Sequence, residues 1–310
     1  MNKIQQLNIF SPNHFARLLS IPRKKLEAAA ESALSHYSPY DKKKPNGKIR
    51  KIDNPHENIK QIQKRIYSVL LKNLNYPVYV IGGVSGRNPV AHATIHKQAP
   101  VVVTIDIKNC FPSITNGMNF QVWRKMLTFS PTVARLATKL TTFRGYLPQG
   151  APTSTALANL VLLPAMSRIV SIASSYQMRQ PSIYIDDIAL SGGELDSELI
   201  ALVAKEFSRI GLKISRGKKT KIMRQGKPQE VINKGVNKHL VVPRKKRKKI
   251  WAALHQLEMA ITPDLRLHRS VKGRILSIKS LHPSESQELM ERFIKLPDPE
   301  KIFELTVLKG

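Results

Sequence analysis

The chain has 310 residues, 42% of them hydrophobic, which indicates a globular protein with a substantial core and excludes the intrinsically disordered class. The chain has 51 lysine and arginine residues against 21 acidic residues, which gives a formal charge of +30. This charge favours nucleic acid as the partner, because basic surfaces bind polyanions by releasing condensed counterions. The alternative is a solvated basic surface that binds no ligand. The single cysteine, Cys110, excludes an intramolecular disulfide, and no signal peptide or apolar run of about 18–20 residues is evident, so we expect a cytoplasmic protein that does not contact a membrane.

Residues 1 to about 100 are mixed in character and basic. A loop is predicted at residues 41–48, where proline, glycine and lysine are concentrated. Beyond this loop, five apolar residues recur at helical spacing and predict a helix with one buried face: Ile59, Ile62, Ile66, Val69 and Leu70.

The strongest strand signals lie between about residues 100 and 232. A short β-branched run at residues 101–105 predicts one strand. Two further runs, at 183–185 and 188–190, are joined by Asp186 and Asp187 and predict a β-hairpin with acidic residues at its tip. Between these strands, apolar residues from Leu157 to Val170 outline a helix that Pro164 should kink or restart.

The last 70 residues predict a small helical bundle. Its apolar stripes are Ile250, Leu254, Leu257 and Ile261, then Val271, Ile275 and Ile278, then Leu289, Phe293 and Leu296. Ser284 and Gln287 have the spacing of a capping box ahead of the third stripe. The segment 205–249 is strongly basic, with Glu206 and Glu230 as its acidic residues, so it favours a track for nucleic acid over a merely solvated face.

Three aspartates stand at strand ends in a chain that has few acids. Asp106 ends the first predicted strand, and Asp186 and Asp187 occupy the hairpin tip. On neighbouring strands they would meet at one edge of a sheet, where close carboxylates are costly unless cations neutralise them. Nucleotidyl transfer by two divalent ions needs such a cluster, although any one of these residues alone could be an ordinary turn aspartate.

Four segments resemble the motifs of reverse transcriptases, and they occur in that family's order. They are VTIDIKNCFPSI at 103–114, LPQGAPTS at 147–154, YIDD at 184–187, and GLKI at 211–214 followed by KKT at 218–220. The resemblance implies an α+β right-hand polymerase fold with fingers, a palm of antiparallel sheet plus helices, and a small helical thumb. It assigns residues 1–100 to N-terminal helices and fingers, 101–235 to the palm with about 114–145 belonging to the fingers, and 236–310 to an RNA-binding thumb.

The same resemblance implies roles for individual residues. Asp106 and Asp186 would ligate two Mg2+ ions, with Asp187 close by and the backbone carbonyl of Ile107 as a further ligand. Deoxynucleoside triphosphates would be the substrates. The residues expected to serve them are Phe111 under the sugar, Gln149 at the incoming nucleotide, Arg50 at the triphosphate, and Lys218 or Lys219 at the pyrophosphate. The alternatives are a core phenylalanine at position 111 and a surface arginine at position 50.

Within that family the chain resembles the bacterial retron enzymes. Residues 91–96, AHATIH, match their Asn-Ala-x-x-His element except that His92 replaces the asparagine. Of their Val-Thr-Gly element, only the valine and the glycine are recognisable in VINKG at 231–235. His92 and His96 could instead suggest a metal site, but no suitable third ligand is evident nearby.

The retron resemblance implies copying of a cognate structured non-coding RNA into single-stranded DNA. Synthesis would start from a guanosine 2′-hydroxyl in that RNA, and the branched RNA–DNA hybrid (msDNA) would serve anti-phage defence with a separate effector or toxin protein. The alternatives are a nucleic-acid-binding scaffold that restrains a toxin, a template-independent abortive-infection polymerase, and another defence-associated reverse transcriptase.

Overall fold

The computed structural model describes residues 4–43, 47, 49–193, 197–215, 217, 220–260 and 264–297, and it combines helices with antiparallel sheets in an α+β arrangement. The amino-terminal part begins with helices α1 Pro12–Leu19 and α2 Arg23–Glu31 and a 3-10 turn at Ala33–His36. Ser11 caps α1 by accepting a hydrogen bond from the His14 amide, and Pro12 occupies the first helical position, where its missing N–H costs nothing.

Two strands, β1 Tyr37–Lys43 and β2 Ile49–Pro55, form an antiparallel hairpin after these helices. The loop predicted at residues 41–48 is therefore wrong for Asp41, Lys42 and Lys43, which belong to β1. Most of β1 is exposed on both faces, so it shows no alternation of polar and apolar residues that would predict a strand. Within the predicted loop, residues 44–46 and 48 lie outside the described part of the chain.

The predicted helix after the hairpin is present as α3 Glu57–Ile66, which continues into a π-helical turn at Tyr67–Leu71. Ile59, Ile62, Ile66 and Leu70 are buried as predicted, but Val69 is 37% exposed. A π-turn has more residues per turn than an α-helix, so the spacing that buries the first three isoleucines no longer applies at Val69.

The central sheet has four strands among the described residues, in the order β4-β5-β3-β6, and all neighbours are antiparallel. Its strands are β3 Val101–Asp106, β4 Ser182–Tyr184, β5 Asp187–Gly192 and β6 Lys221–Arg224. The predicted strand at 101–105 and the predicted hairpin are thus confirmed, except that Ile185 lies in the turn, not in a strand, and Asp187 begins β5. Strand β6 was not predicted, because its mostly exposed side chains carry no strand pattern.

Short helices precede and follow β3, and a long helix packs behind the sheet. They are α4 Pro89–Ile95, α5 Cys110–Ser113, α6 Asn116–Gln121 with a π-turn at Val122–Met126, α7 Pro131–Thr141, α8 Ser154–Ser175 and α9 Ser197–Arg209. Helix α8 runs through Pro164 without a restart. Arg168 on α8 and Glu206 on α9 form an ion pair.

By length and composition, helix α8 is long and apolar enough to cross a membrane. This corrects the expectation that the chain has no apolar run of about 18–20 residues; serines and Arg168 interrupt the run and obscure it in the sequence. However, 67% of its most apolar window is buried inside the protein. The described residues contain no other helix that passes this test. Most of the buried apolar side chains of α8 belong to the large core that extends from Ile9 to Leu212.

A tight hairpin, β7 Glu230–Val231 and β8 Lys234–Gly235, leads to three carboxy-terminal helices. These are α10 Arg244–Glu258, α11 Leu265–Ile278 and α12 Pro283–Phe293, and they share a second core. The predicted stripes are buried in this core, with Leu296 partly buried, while Ile261 lies outside the described residues. The predicted capping box is wrong: α12 begins at Pro283, so Ser284 is already inside the helix, and His282 is the cap residue.

Candidate active site

Strand pairing brings the three predicted carboxylates to one edge of the central sheet. Asp106, the last residue of β3, lies directly opposite Asp187, the first residue of β5. Asp186 precedes Asp187 in the hairpin turn, and its carbonyl accepts a hydrogen bond from the Ile107 amide at 3.0 Å. Asp106 and Asp186 are half-buried and Asp187 is exposed. The predicted juxtaposition of these acids on two neighbouring strands is therefore present.

The turn that carries Asp186 is supported from behind by residues 80–83. Ile185 has φ 62°, a left-handed conformation that is costly for a β-branched residue and persists only where the surroundings enforce it. The amides of Ile81 and Gly82 donate to the Ile183 carbonyl at 2.8 and 3.3 Å, and Asn159 donates to the Gly82 carbonyl at 2.8 Å. The sequence does not predict that residues 80–83 support the hairpin turn, because the pair Gly82-Gly83 alone predicts only a turn.

Asp106 is oriented by the segment that follows α9. The Ser215 hydroxyl donates to Asp106 Oδ2 at 2.6 Å, and the Ser215 amide donates to the Asp106 carbonyl at 2.7 Å. Ile214 forms an antiparallel bridge with Ile107, which extends this alignment past the end of β3. Ser215 was not predicted, although it directly follows the GLKI motif; Lys218 and Lys219 lie outside the described residues.

Cys110, at the start of α5, is close enough to Asp106 and Asp186 to be affected by both negative charges. Burial raises the pKa of the Cys110 thiol, and the negative charges of Asp186 and then Asp106 raise it further. Across the described ranges, no group of three or more histidine, cysteine, aspartate or glutamate side chains has the arrangement of a metal site. Two carboxylates still fit Mg2+, since this ion keeps several waters and takes substrate phosphates as ligands.

The residues predicted to serve the nucleotide lie on three different elements. Phe111 lies in the short helix α5, half-buried against the large core. Arg50 is exposed on β2. Gln149 is half-buried in the loop before α8, where its amide and carbonyl both bond to Asp53 of β2.

A cavity of about 250 Å3 opens beside the carboxylates, between the sheet edge and the β7–β8 turn. Its lining is His92, Thr104, Asp106, Asp187, Ile188, Ala189, Lys221 and residues 230–233. Ile232 and Asn233 both have positive φ, 45° and 56°, as a two-residue hairpin turn requires. His92 and residues 231–233, which belong to the two segments that depart from the retron pattern, thus line the same cavity.

His92 in α4 and His96, the C-terminal cap residue of that helix, are both buried but differ in their contacts. The ring nitrogens of His96 bond to the Ser191 and Ser182 hydroxyls at 2.8 and 2.7 Å, which ties this histidine to β5 and β4. Burial, with smaller contributions from His92 and Arg179, lowers the pKa of His96 to about 3. His92 contacts the Tyr184 ring edge-on, and burial lowers its pKa to about 4. Neither ring nitrogen of His92 has a hydrogen-bond partner among the described residues.

A basic surface lies at the start of α10. Its first six residues are all lysine or arginine, and Arg244, Lys245, Lys246, Lys248 and Lys249 are exposed. Arg247 is instead held by Glu285 of α12 at 2.5 Å, and Trp251 donates to the same carboxylate at 2.8 Å. The five side chains that remain exposed give α10 a positively charged face, and the Arg247–Glu285 contact anchors the helix to α12.

Comparisons with known proteins agree with this geometry. Residues 42–252 match the family model described as "Reverse transcriptase (RNA-dependent DNA polymerase)". The chain is 29% identical over 277 residues to the retron Mx65 reverse transcriptase of Myxococcus xanthus, covering 83% of this chain and 64% of that protein. It is 30% identical to the retron Se72 reverse transcriptase of Salmonella heidelberg, covering 68% and 57% of the two chains, and 28% identical to the retron Ec86 reverse transcriptase of Escherichia coli, covering 77% and 75%. The chain therefore spans about three-fifths of the length of the first two relatives.

Proposed function

This chain belongs to the reverse transcriptase family, and we propose that it is a retron-type RNA-directed DNA polymerase. The observation that carries the proposal is the strand register that pairs Asp106 with Asp187 and sets Asp186 in the adjoining turn. Carboxylates gathered at the end of a sheet and beside a cavity, in a chain that also presents an exposed basic helix, suit nucleotidyl transfer on a nucleic acid.

We propose that Asp106 and Asp186 hold two Mg2+ ions, with Asp187 and the carbonyl of Ile107 as further ligands. Such ions, when bound, activate the attacking hydroxyl and neutralise the leaving pyrophosphate. Ser215 keeps Asp106 in place through its 2.6 Å hydrogen bond, so that this carboxylate needs little reorganisation to bind.

The deoxynucleoside triphosphate is proposed to bind between the carboxylates and the elements that carry Arg50, Phe111 and Gln149. Arg50 grips the triphosphate, Phe111 lies under the sugar and excludes a 2′-hydroxyl, and Gln149 contacts the incoming nucleotide. Lys218 or Lys219 is proposed to act at the pyrophosphate.

The cavity beside Asp106 and Asp187 is proposed to hold the end of the strand that supplies the attacking hydroxyl. That hydroxyl must approach the same carboxylates as the triphosphate, and the cavity opens directly on Asp106 and Asp187. Thr104, Lys221 and Asn233 offer it hydrogen-bonding groups of both polarities. In a retron enzyme the hydroxyl is the 2′-hydroxyl of a guanosine.

We assign fingers to residues 1–100 and about 114–145, the palm to the rest of 101–235, and the thumb to 236–310. The exposed basic face of α10 is proposed to bind the cognate structured non-coding RNA. The product is a branched RNA–DNA hybrid (msDNA) that acts with a separate effector or toxin protein in anti-phage defence. We place this activity in the cytoplasm.

Expression with the native flanking DNA, purification, and sequencing of the bound nucleic acid tests this function. Wild-type protein is expected to carry a short defined DNA joined to RNA, and Asp186→Ala to carry the RNA alone. Glu31→Ala, which removes an exposed acid at the end of α2, is the matched control and should behave as wild type.

Two other results would replace the proposal. RNA without DNA in all three preparations would favour a scaffold that binds nucleic acid without copying it. DNA whose sequence does not follow the bound RNA would favour a template-independent polymerase.

A further inference from the structure

One buried carboxylate joins the loop that carries Gln149 to the β1–β2 hairpin. Asp53, on β2, is only 2% exposed. Its Oδ1 accepts a hydrogen bond from the Tyr146 hydroxyl at 3.1 Å, and its Oδ2 accepts one from the Gln149 amide at 3.1 Å. Tyr146 and Gln149 are separated from Asp53 by 93 and 96 positions in the chain, respectively.

Backbone contacts reinforce this junction. The Asp53 amide donates to the Gln149 carbonyl at 2.9 Å, so Gln149 is bonded to Asp53 through both its N–H and its C=O. The next residue, Gly150, has φ +137°, and a side chain there would begin 3.1 Å from the Asp53 carbonyl and 3.2 Å from Ile52. The loop therefore lies so close to β2 that a Cβ at position 150 would make tight contacts with Ile52 and Asp53.

A carboxylate is a costly way to make this junction. Asp53 forms no ion pair among the described residues, and its partners are a phenol and a backbone amide, both neutral. Burial of a charge with neutral donors alone carries a desolvation penalty. Hydrogen bonds to an ionised acceptor are, in return, stronger and more directional than neutral ones, which suits a contact that must fix a position.

The charge also keeps its donor in the required state. Burial raises the pKa of Tyr146, and the negative charge of Asp53 raises it further. The phenol therefore stays protonated and can donate to the carboxylate at every physiological pH.

We propose that Asp53 is a positioning residue for nucleotide binding, fastening Gln149 to the strand that carries Arg50. The inference rests on the proposed function, in which Arg50 and Gln149 both contact the incoming nucleotide. Arg50 lies three residues before Asp53 on β2, so a fixed Asp53–Gln149 contact sets the relative position of the two nucleotide-binding side chains.

Steady-state DNA synthesis on a primed RNA template tests the proposal. Asp53→Ala is expected to raise KM for the deoxynucleoside triphosphate about tenfold, the change that follows from losing the charged hydrogen bond that holds the Gln149 amide, with kcat within about threefold of wild type. Asp53→Asn keeps both hydrogen bonds but not the charge, since its Oδ1 can accept from the Gln149 amide while its Nδ2 donates to the Tyr146 oxygen, so it should raise KM less than Asp53→Ala, by about threefold. Asp41→Ala, an exposed acid in the same hairpin, is the matched control and should leave KM unchanged.

A double-mutant cycle separates positioning from general destabilisation. If Asp53 acts through Gln149, then Asp53→Ala added to Gln149→Ala should raise KM far less than tenfold. A full additional tenfold in that background would overturn the proposal, and so would an unchanged KM in a folded Asp53→Ala. Should Asp53→Ala fail to fold, Tyr146→Phe removes one hydroxyl instead and is expected to raise KM about threefold; no change there would equally overturn it. A wild-type protein without any templated synthesis would refute the proposed function, which distinguishes that failure from this one.

Discussion

Replacement of Gly82 by alanine would press directly on the turn that carries Asp186. A Cβ at this position would lie 2.5 Å from the Ile185 amide nitrogen and 2.8 Å from the Tyr184 carbonyl carbon. Both are backbone atoms, so no side-chain rotation can relieve the contact. The hairpin turn or the segment 80–83 has to move, and the hydrogen bonds from Ile81 and Gly82 to the Ile183 carbonyl must lengthen.

The cost can be worked from two opposing contributions. Overpacking in a closely packed site destabilises the fold by about 1–3 kcal/mol. The backbone of Gly82 does not have the positive φ that disfavours alanine, so the alanine also stabilises the fold by about 0.4–1 kcal/mol through the lower entropy of the unfolded chain. The net expectation is a loss of about 1–2 kcal/mol in the free energy of unfolding.

The effect on catalysis should be larger than the effect on stability. Ile185 is already in a left-handed conformation, and Asp186 follows it directly, so a shift of the turn moves the carboxylate. A displacement of about 1 Å in a reacting group can cost about 100-fold in rate. We therefore expect kcat on a primed template to fall by about that factor, while thermal unfolding shifts by only a few degrees.

Gly86→Ala provides the matched control for this experiment. Gly86 has φ +76°, so alanine there costs about 1 kcal/mol in backbone strain, but no atom lies within 4 Å of its added Cβ. This variant should lose similar stability and keep wild-type kcat. A folded Gly82→Ala with undiminished kcat would show that residues 80–83 do not determine the position of Asp186.

Three further predictions concern Asp106, the basic helix and the buried histidines. Ser215→Ala should lower kcat about tenfold and raise the Mg2+ concentration that gives half-maximal synthesis, because Asp106 loses its 2.6 Å hydrogen bond; a Mg2+ titration in which the two proteins coincide would contradict this. Combined replacement of Lys245, Lys246, Lys248 and Lys249 by glutamine should weaken RNA binding. The slope of the logarithm of the binding constant against the logarithm of the salt concentration should become shallower by about 0.7–0.9 for each phosphate that is no longer neutralised. The same replacement of Lys24 and Lys25 on α2 is the control and should leave this slope unchanged. The low pKa values of His92 and His96 keep both side chains neutral in the folded protein, whereas in the unfolded chain they take up protons as the pH falls through about 6.5. Acidification should therefore lower the free energy of unfolding, by about 1 kcal/mol for His92 at about pH 5.5. Unfolding measured at neutral pH and at about pH 5.5 should show a smaller loss for His92→Asn, and an equal loss would exclude His92 as a cause.

The sequence predicts the elements whose signal is local. The β-branched run of β3 and the two runs flanking Asp186 and Asp187 form mostly buried strands. Short apolar runs that end in acidic residues can be recognised from the sequence without knowledge of the tertiary structure. The β1–β2 hairpin lacks such a signal because β1 is exposed along most of its length. At Val69 and at Ser284 the local pattern is misleading, since a π-turn alters the spacing and the helix begins at Pro283, two residues before the start that a cap at Ser284 predicts.

The site shows a more general division between what motifs reveal and what they leave hidden. The residues proposed to carry the chemistry resemble family motifs, but each is held by a residue outside the segments that identify it: Gly82 behind Asp186, Ser215 beside Asp106, and Asp53 beneath Gln149. An isolated glycine, serine or aspartate has no distinctive spacing, and its role arises only when the fold brings together residues that are distant in the chain. Because a supporting hydrogen bond or close contact acts on position and not on chemistry, its removal should alter KM, metal dependence or kcat while leaving the motif intact. Substitutions at these three positions therefore separate the arrangement of the site from its composition.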